Sequence, residues 1–295
     1  MSKKPASTAC LLAVILFLSA INFEYAKAQT SETIAINADG AIAGTSKIQR
    51  NGDVYTLTGN ISGCIKVQKS NIVIDGAGYT LEGNGEGRGI DLSNGRGQDP
   101  SRDRISNVTI KNLRIVNFYY GIDNANAGEN IFICNYISEC MSGVWIIGSF
   151  NNTFVYNTFE NASITINYAG INNITKNNFI NCCVTVWLST AVVDGNYWSD
   201  YQERYPDAKE IGNTGVWDTP YEYWEGIIDN HPLTKLVNAS LHDSSNAVDT
   251  QNSIMPTDEP FPTTLFIVFA IAVAVIVSAS LLLLRRKTAQ TQKAT

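Results

Sequence analysis

Histidine and methionine are nearly missing from this chain of 295 residues, which holds two His, His231 and His242, and three Met. Copper and zinc sites are built from His, Cys and Met at close spacing. Their scarcity argues against a resident metal, and no cofactor is expected. A basic excess is missing too: residues 29–264 carry 14 Lys+Arg against 26 Asp+Glu, a net charge of −12. Nucleic acid is therefore excluded as a partner. An even set of cysteines is also lacking. Cys10 falls in a segment expected to be removed, and Cys64, Cys134, Cys140, Cys182 and Cys183 cannot all pair within one chain. The chain is also far longer than a disulfide-stapled domain. Finally, its middle has no helical period.

The ends are not part of a folded core. Lys3 and Lys4 precede an apolar run over 9–21, and Ala26-Lys27-Ala28 follows. This is the pattern of a signal peptide over 1–28. Residues 265–284 are 20 apolar or small residues without a charge, and Arg285-Arg286-Lys287 comes next. That predicts a single membrane span with 29–264 outside and 285–295 in the cytoplasm. Residues 239–264, with Pro256, Pro260 and Pro262, read as a polar stalk.

What the chain has in quantity is a repeat. Between residues 54 and 198 an Asn, an alternating strand and a second Asn five residues on return together. The copies are Asn107 to Asn112, Asn130 to Asn135, Asn152 to Asn157 and Asn173 to Asn178, with an earlier variant at Asn71 and a shortened last copy ending at Asn196. Each unit of about 22 residues has a second apolar strand, such as Gly143-Val-Trp-Ile-Ile147. Units of this size with short strands make single coils of a parallel β-solenoid. Propeller blades need about twice the period, and sandwiches show hairpin turns instead. The expected fold is all-β, a right-handed parallel β-helix, with Asn112, Asn135, Asn157, Asn178 and Asn196 stacked as one ladder at a corner. Residues 29–53 are expected to form an N-terminal cap and 199–238 an aromatic C-terminal cap.

Gly195-Asn-Tyr-Trp-Ser-Asp-Tyr201, Asp218-Thr-Pro-Tyr221 and Asp229-Asn-His-Pro-Leu233, with the repeats and Asn71-Ile-Val-Ile-Asp-Gly-Ala-Gly-Tyr-Thr-Leu81, resemble archaeal surface proteins built on NosD-like parallel β-helix repeats. The likeness covers residues 40–236. It implies a pectin-lyase-like fold, an extracytoplasmic place, roles in carbohydrate binding or processing and, for the namesake members, copper delivery to a nitrous oxide reductase. Many relatives carry a calcium-type loop between the first two motifs. Here 203–217 lacks the alternating acids such an oxygen cage needs.

Chemistry is hard to find in the sequence. Asp75 with Asp123 or Asp194 is a candidate stack of carboxylates, although an Asp in a repeat is usually a turn residue. Arg88, Arg102 and Arg104 lie near a projecting loop over 95–104. Cys182-Cys183 is the nearest approach to a soft-metal motif, and by register Cys140 and Cys183 fall two coils apart, beyond disulfide reach. The cap aromatics offer stacking surfaces for sugar rings: Trp198, Tyr201, Trp217 and Tyr221 are the candidate ligand-binding residues, and their structural alternative is an end plug. Of six Asn-x-Ser/Thr sequons, Asn60 and Asn238 are the favoured glycosylation sites. No catalytic or metal-binding residue is assigned. The expectation is a membrane-anchored, non-catalytic protein that binds glycan or serves the cell envelope. The alternatives are a polysaccharide hydrolase or lyase and, third, a NosD-like accessory for copper-site maturation.

Overall fold

The computed structural model describes residues 33–93, 103–223 and 227–238. The segments expected to be a signal peptide, stalk, span and tail, most of the 95–104 loop, Trp224 and His242 lie outside the described residues. Among those described, no helix is long and apolar enough to cross a membrane.

The strands form three parallel sheets whose members recur every third strand. This is a right-handed parallel β-solenoid. Each coil enters sheet B, turns into sheet C and then into sheet A. One coil reads Ile131–Ile133, Tyr136–Ser138 and Ser142–Ile147; the next reads Thr153–Val155, Thr158–Glu160 and Ile164–Asn167. The alternation seen in the sequence becomes three inward columns: Ile74, Ile110, Phe132, Phe154 and Ile174 on sheet B, Leu81, Ile115, Ile137, Phe159, Phe179 and Trp198 on sheet C, and Ile65, Ile90, Ile122, Val144, Ile164 and Val184 on sheet A. All of them are buried. Each contributes about 1.5–3 kcal/mol of apolar burial, and like stacks on like, with Phe132 on Phe154 at 4.5 Å and Phe179 on Trp198 at 4.5 Å.

The asparagine ladder differs from the expected one by a register shift. Its rungs are Asn135, Asn157, Asn177 and Asn196, each Nδ2 donating to the next Oδ1 at 3.0, 3.0 and 3.1 Å. Asn112 stands instead in the column of Cys134, Tyr156 and Lys176, where φ is 53 to 58° and the side chain faces solvent. Asn178 opens the following strand beside Thr158. The left-handed residue at the corner is thus the one before the rung, and the rung is an inward, buried amide. A second ladder, Asn130, Asn152 and Asn172, closes the other corner of sheet B, with Asn152 Nδ2 donating to Asn172 Oδ1 at 2.8 Å.

Both ends are closed. At the N-terminal end β1 (Thr33–Ile36) runs parallel to Cys64–Val67 but is covered on its other side by the antiparallel β2 (Ile42–Ala43), and β3 (Ile48–Asn51) pairs antiparallel with β4 (Val54–Leu57). At the C-terminal end buried Asp229 takes the place of the next rung. Its carboxylate accepts from the N–H groups of Gly195 and Asn196 at 2.8 Å each, from Asn196 Nδ2 at 3.2 Å, from Trp198 Nε1 at 3.0 Å and from His231 N at 3.1 Å.

Candidate functional site

The cap aromatics form a plug. Trp198, 1 % exposed, lies between Phe179 and Tyr221, with ring centroids 4.5 and 4.2 Å away. Tyr201 opens the short helix α1 (Tyr201–Arg204) and stacks on half-buried Trp217 at 5.1 Å. Tyr221 is buried, and its hydroxyl donates to Asp200. Burial, followed by the Asp200 charge, raises the Tyr221 phenol well above its ordinary pKa. The rings of Trp198, Tyr201 and Tyr221 are buried inside the protein, whereas Trp217 is half-buried. Of the favoured sequons, exposed Asn60 accepts from Thr80 N at 3.0 Å through its Oδ1, and Asn238 is exposed.

The suggested carboxylate stack does not form. Asp75 lies on the outer face of sheet B, paired with Lys111 at 3.2 Å, and Asp194 ends the last strand of that sheet, bonded to His231 Nδ1 at 2.8 Å. Asp123 is on sheet A. Its register partner there is Asp91, which the sequence reading overlooked.

The outer face of sheet A is where polar and aromatic groups converge. One column runs Lys66, Asp91, Asp123, Trp145, Thr165 and Thr185. A neighbouring column runs Arg88, Tyr120 and Ser142. Arg88 Nε donates to Asp123 Oδ2, and Asp123 Oδ1 accepts from Ala125 N at 3.1 Å. Asp91 accepts from Ser93 N and Oγ at 2.9 and 2.6 Å. Asp123 is 2 % exposed. Its burial pushes the carboxyl pKa up, against the opposing pull of Arg88. Tyr120 and Trp145 follow on adjacent coils, ring centroids 5.3 Å apart, with exposed Tyr119 edge-on to Tyr120 at 4.7 Å.

One tetrapeptide frame builds this face: Arg88-Gly-Ile-Asp91, Tyr120-Gly-Ile-Asp123 and Ser142-Gly-Val-Trp145. The glycine is required by contact, because a Cβ on Gly89 or Gly121 would stand 2.6 Å from the carbonyl oxygen of the next coil's glycine. The residues before the glycine and two after it face outward. The frame was the signal available in the sequence.

The thiols are dispersed. None of the five described cysteines forms a disulfide with another described residue. Strand register places Cys140, Ala162 and Cys182 in one column, two residues past Ser138, Glu160 and Ile180. The residue two coils from Cys140 is therefore Cys182 and not Cys183. Burial pushes Cys64 and Cys140 up to about 11 and Cys182 up to about 12.

The sequence model of a family described as "Periplasmic copper-binding protein (NosD)" matches residues 25–203, well over half of the chain. No curated protein and no solved structure matches. The described residues do not fit a copper ion held by this chain. No group of three His, Cys, Asp or Glu side chains among them is placed to hold a metal.

Proposed function

We propose, for a chain that belongs to the NosD family, an extracytoplasmic role as a membrane-anchored glycan-binding β-helix that engages its ligand on the outer face of sheet A. In this reading residues 1–28 direct export, 265–284 anchor the chain, and Asn60 and Asn238 are modification sites. The observation that carries the binding role is the Tyr120–Trp145 ring pair beside the Arg88–Asp123 ion pair. Aromatic faces take the apolar side of a sugar ring, and fixed charged groups hydrogen-bond its hydroxyls. The solenoid supports the reading further, because it repeats such positions at ~4.8 Å intervals along a straight surface.

The test is glycan-array binding by the purified protein, with release of reducing ends assayed on each bound glycan. Trp145→Ala is expected to weaken binding at least ~10-fold, about 1.4 kcal/mol, while Trp217→Ala leaves it unchanged. Loss at Trp217 alone returns the site to the cap. Release of reducing ends supports a hydrolase or lyase, for which Asp91 and Asp123 on adjacent strands are the carboxylates to mutate.

The family description favours a second reading, copper handling. It predicts stoichiometric Cu(I) uptake against a competing chelator that falls on Cys182→Ser with Cys183→Ser. Uptake of that kind without glycan binding would replace the first reading.

A further inference from the structure

The corner from sheet A to sheet B repeats a left-handed residue in four successive coils: Asn126, Gly148, Tyr168 and Leu188, at φ 51, 62, 47 and 47°. The register is common to all four: the N–H of Asn126, Gly148 and Tyr168 each donates to the carbonyl just before the next member, on Ile147, Asn167 and Trp187. Asn and Gly adopt this backbone readily, whereas a tyrosine or leucine does so against its steric preference. In the last two coils the corner nevertheless carries the large side chains.

The neighbours follow suit. Trp187 is 45 % and Leu188 48 % exposed, and Phe150, Ile171 and Val192 are exposed beside them. Trp187 meets Tyr168 edge-on at 4.9 Å. Segments 147–151, 167–173 and 187–193 contain no charged residue, in an external region of net charge −12. The charge that reaches them is the Arg104 guanidinium, which donates to Gly148 O at 3.0 Å and lies over the Phe150 ring at 5.0 Å, on the side of the corner two coils away from Trp187 and Leu188. Strained backbone spent on presenting apolar groups points to a contact outside the domain.

We propose that this corner of the last coils is a lipid-contacting surface that rests in the interfacial layer of the bilayer. Tryptophan and tyrosine with leucine, isoleucine and phenylalanine is the composition that layer selects. The chain leaves the described domain from the same coil: Val237 N donates to Asn178 Oδ1 at 2.7 Å, and Asn178 Nδ2 donates to Val237 O at 3.0 Å. Residues 239–264 then lead to the apolar run over 265–284. The inference rests on reading that run as a membrane anchor. Tethering makes the contact effectively intramolecular, so a weak patch suffices.

The experiment uses the full chain in phosphatidylcholine vesicles with and without brominated acyl chains, read by tryptophan quenching and by flotation. Brominated lipid is expected to quench part of the fluorescence. Trp187→Phe should remove more than half of that quenched fraction, and Trp145→Phe should leave it. Leu188→Gly, which relieves the backbone, should lower the quenched fraction while keeping or raising the thermal midpoint; a lowered midpoint with unchanged quenching would assign Leu188 to structure and overturn the proposal. Flotation with quenching indifferent to Trp187 overturns the lipid contact and leaves the anchor standing. Failure to float overturns both. Loss of Trp187 quenching on concentration-dependent self-association would make a second copy the occupant instead.

Discussion

At the scale of the residue, asparagines in adjacent columns of this chain have opposite fates. Asn112 sits on a left-handed corner, exposed, with one hydrogen bond to Asp75. Asn157 is fully buried, and its amide makes contacts with Asn135, Asn177 and Phe132 O. Asn157→Ala is expected to cost about 3 kcal/mol, because it leaves buried donors and acceptors of two adjacent rungs without partners. Asn112→Gly, which keeps the left-handed backbone, is expected to stay within about 0.5 kcal/mol. Chemical denaturation of the two variants checks the pair. The five-residue spacing in the sequence fits both columns, so spacing alone does not separate rung from corner. The backbone angle of the residue before does.

Arg88 and Asp123 give a prediction with a sign. Removing Arg88 leaves a buried carboxylate without its counter-charge, and since the arginine is half-exposed the cost of Arg88→Gln at neutral pH is about 1–2 kcal/mol. The Asp123 pKa is already raised in the folded protein and rises further in the variant. The folded variant then binds the proton more tightly than the unfolded chain does. Its deficit is fully present above the folded pKa of Asp123 and is lost as the pH falls through it. Denaturation midpoints of parent and variant should therefore converge in acid. Divergence in acid would mean that the pair does not set the stability of this face.

At the scale of the element, the strands were legible and the candidate site on sheet A was not. Alternating Ile, Val and Phe with a unit of about 22 residues specifies short stacked strands, and the structure has them. The Asp91–Asp123 contact hides because its two coils are separated by the long excursion after Ser93, which puts the partners 32 positions apart in the numbering. The Arg-Gly-Ile-Asp and Tyr-Gly-Ile-Asp frames mark the equivalence only once glycine is read as a close contact between coils. The cap aromatics have a structural task of their own: a solenoid end must cover its last ring, and Trp198 with Tyr221 does that. Asp229 is the cap's fastening to the ladder. Asp229→Asn turns a donor toward groups that are themselves donors, and is expected to cost about 2–4 kcal/mol. Hydrogen exchange should then show fast opening at residues 191–198 while residues 65–92 stay protected. Uniform loss of protection would show that the cap and the coils unfold as one.

At the scale of the whole molecule, family and fold follow from features repeated many times, whereas function depends on a few side chains brought together once. The five described thiols illustrate the difference: as a count they suggest pairing or metal, and as positions they form no disulfide among the described residues, with Cys140 buried and the other four half-buried. With the Cys140 and Cys182 thiols raised to about 11 and about 12, alkylation of the native protein at pH 8 should leave both unmodified under conditions that label them fully in denaturant. Mass spectrometry of the peptides reads this directly. Prompt native labelling of Cys182 would indicate an open last coil.

Asp229 also makes the molecule's length adjustable. The final asparagine meets a carboxylate that offers what another asparagine would, so the closing segment is indifferent to how many rungs precede it. A whole unit inserted or deleted between the two ends leaves each closure intact and changes the face of sheet A by one strand spacing, ~4.8 Å. Such a chain can be fitted to a longer or shorter ligand by gene-segment duplication alone, with no redesign of either terminus.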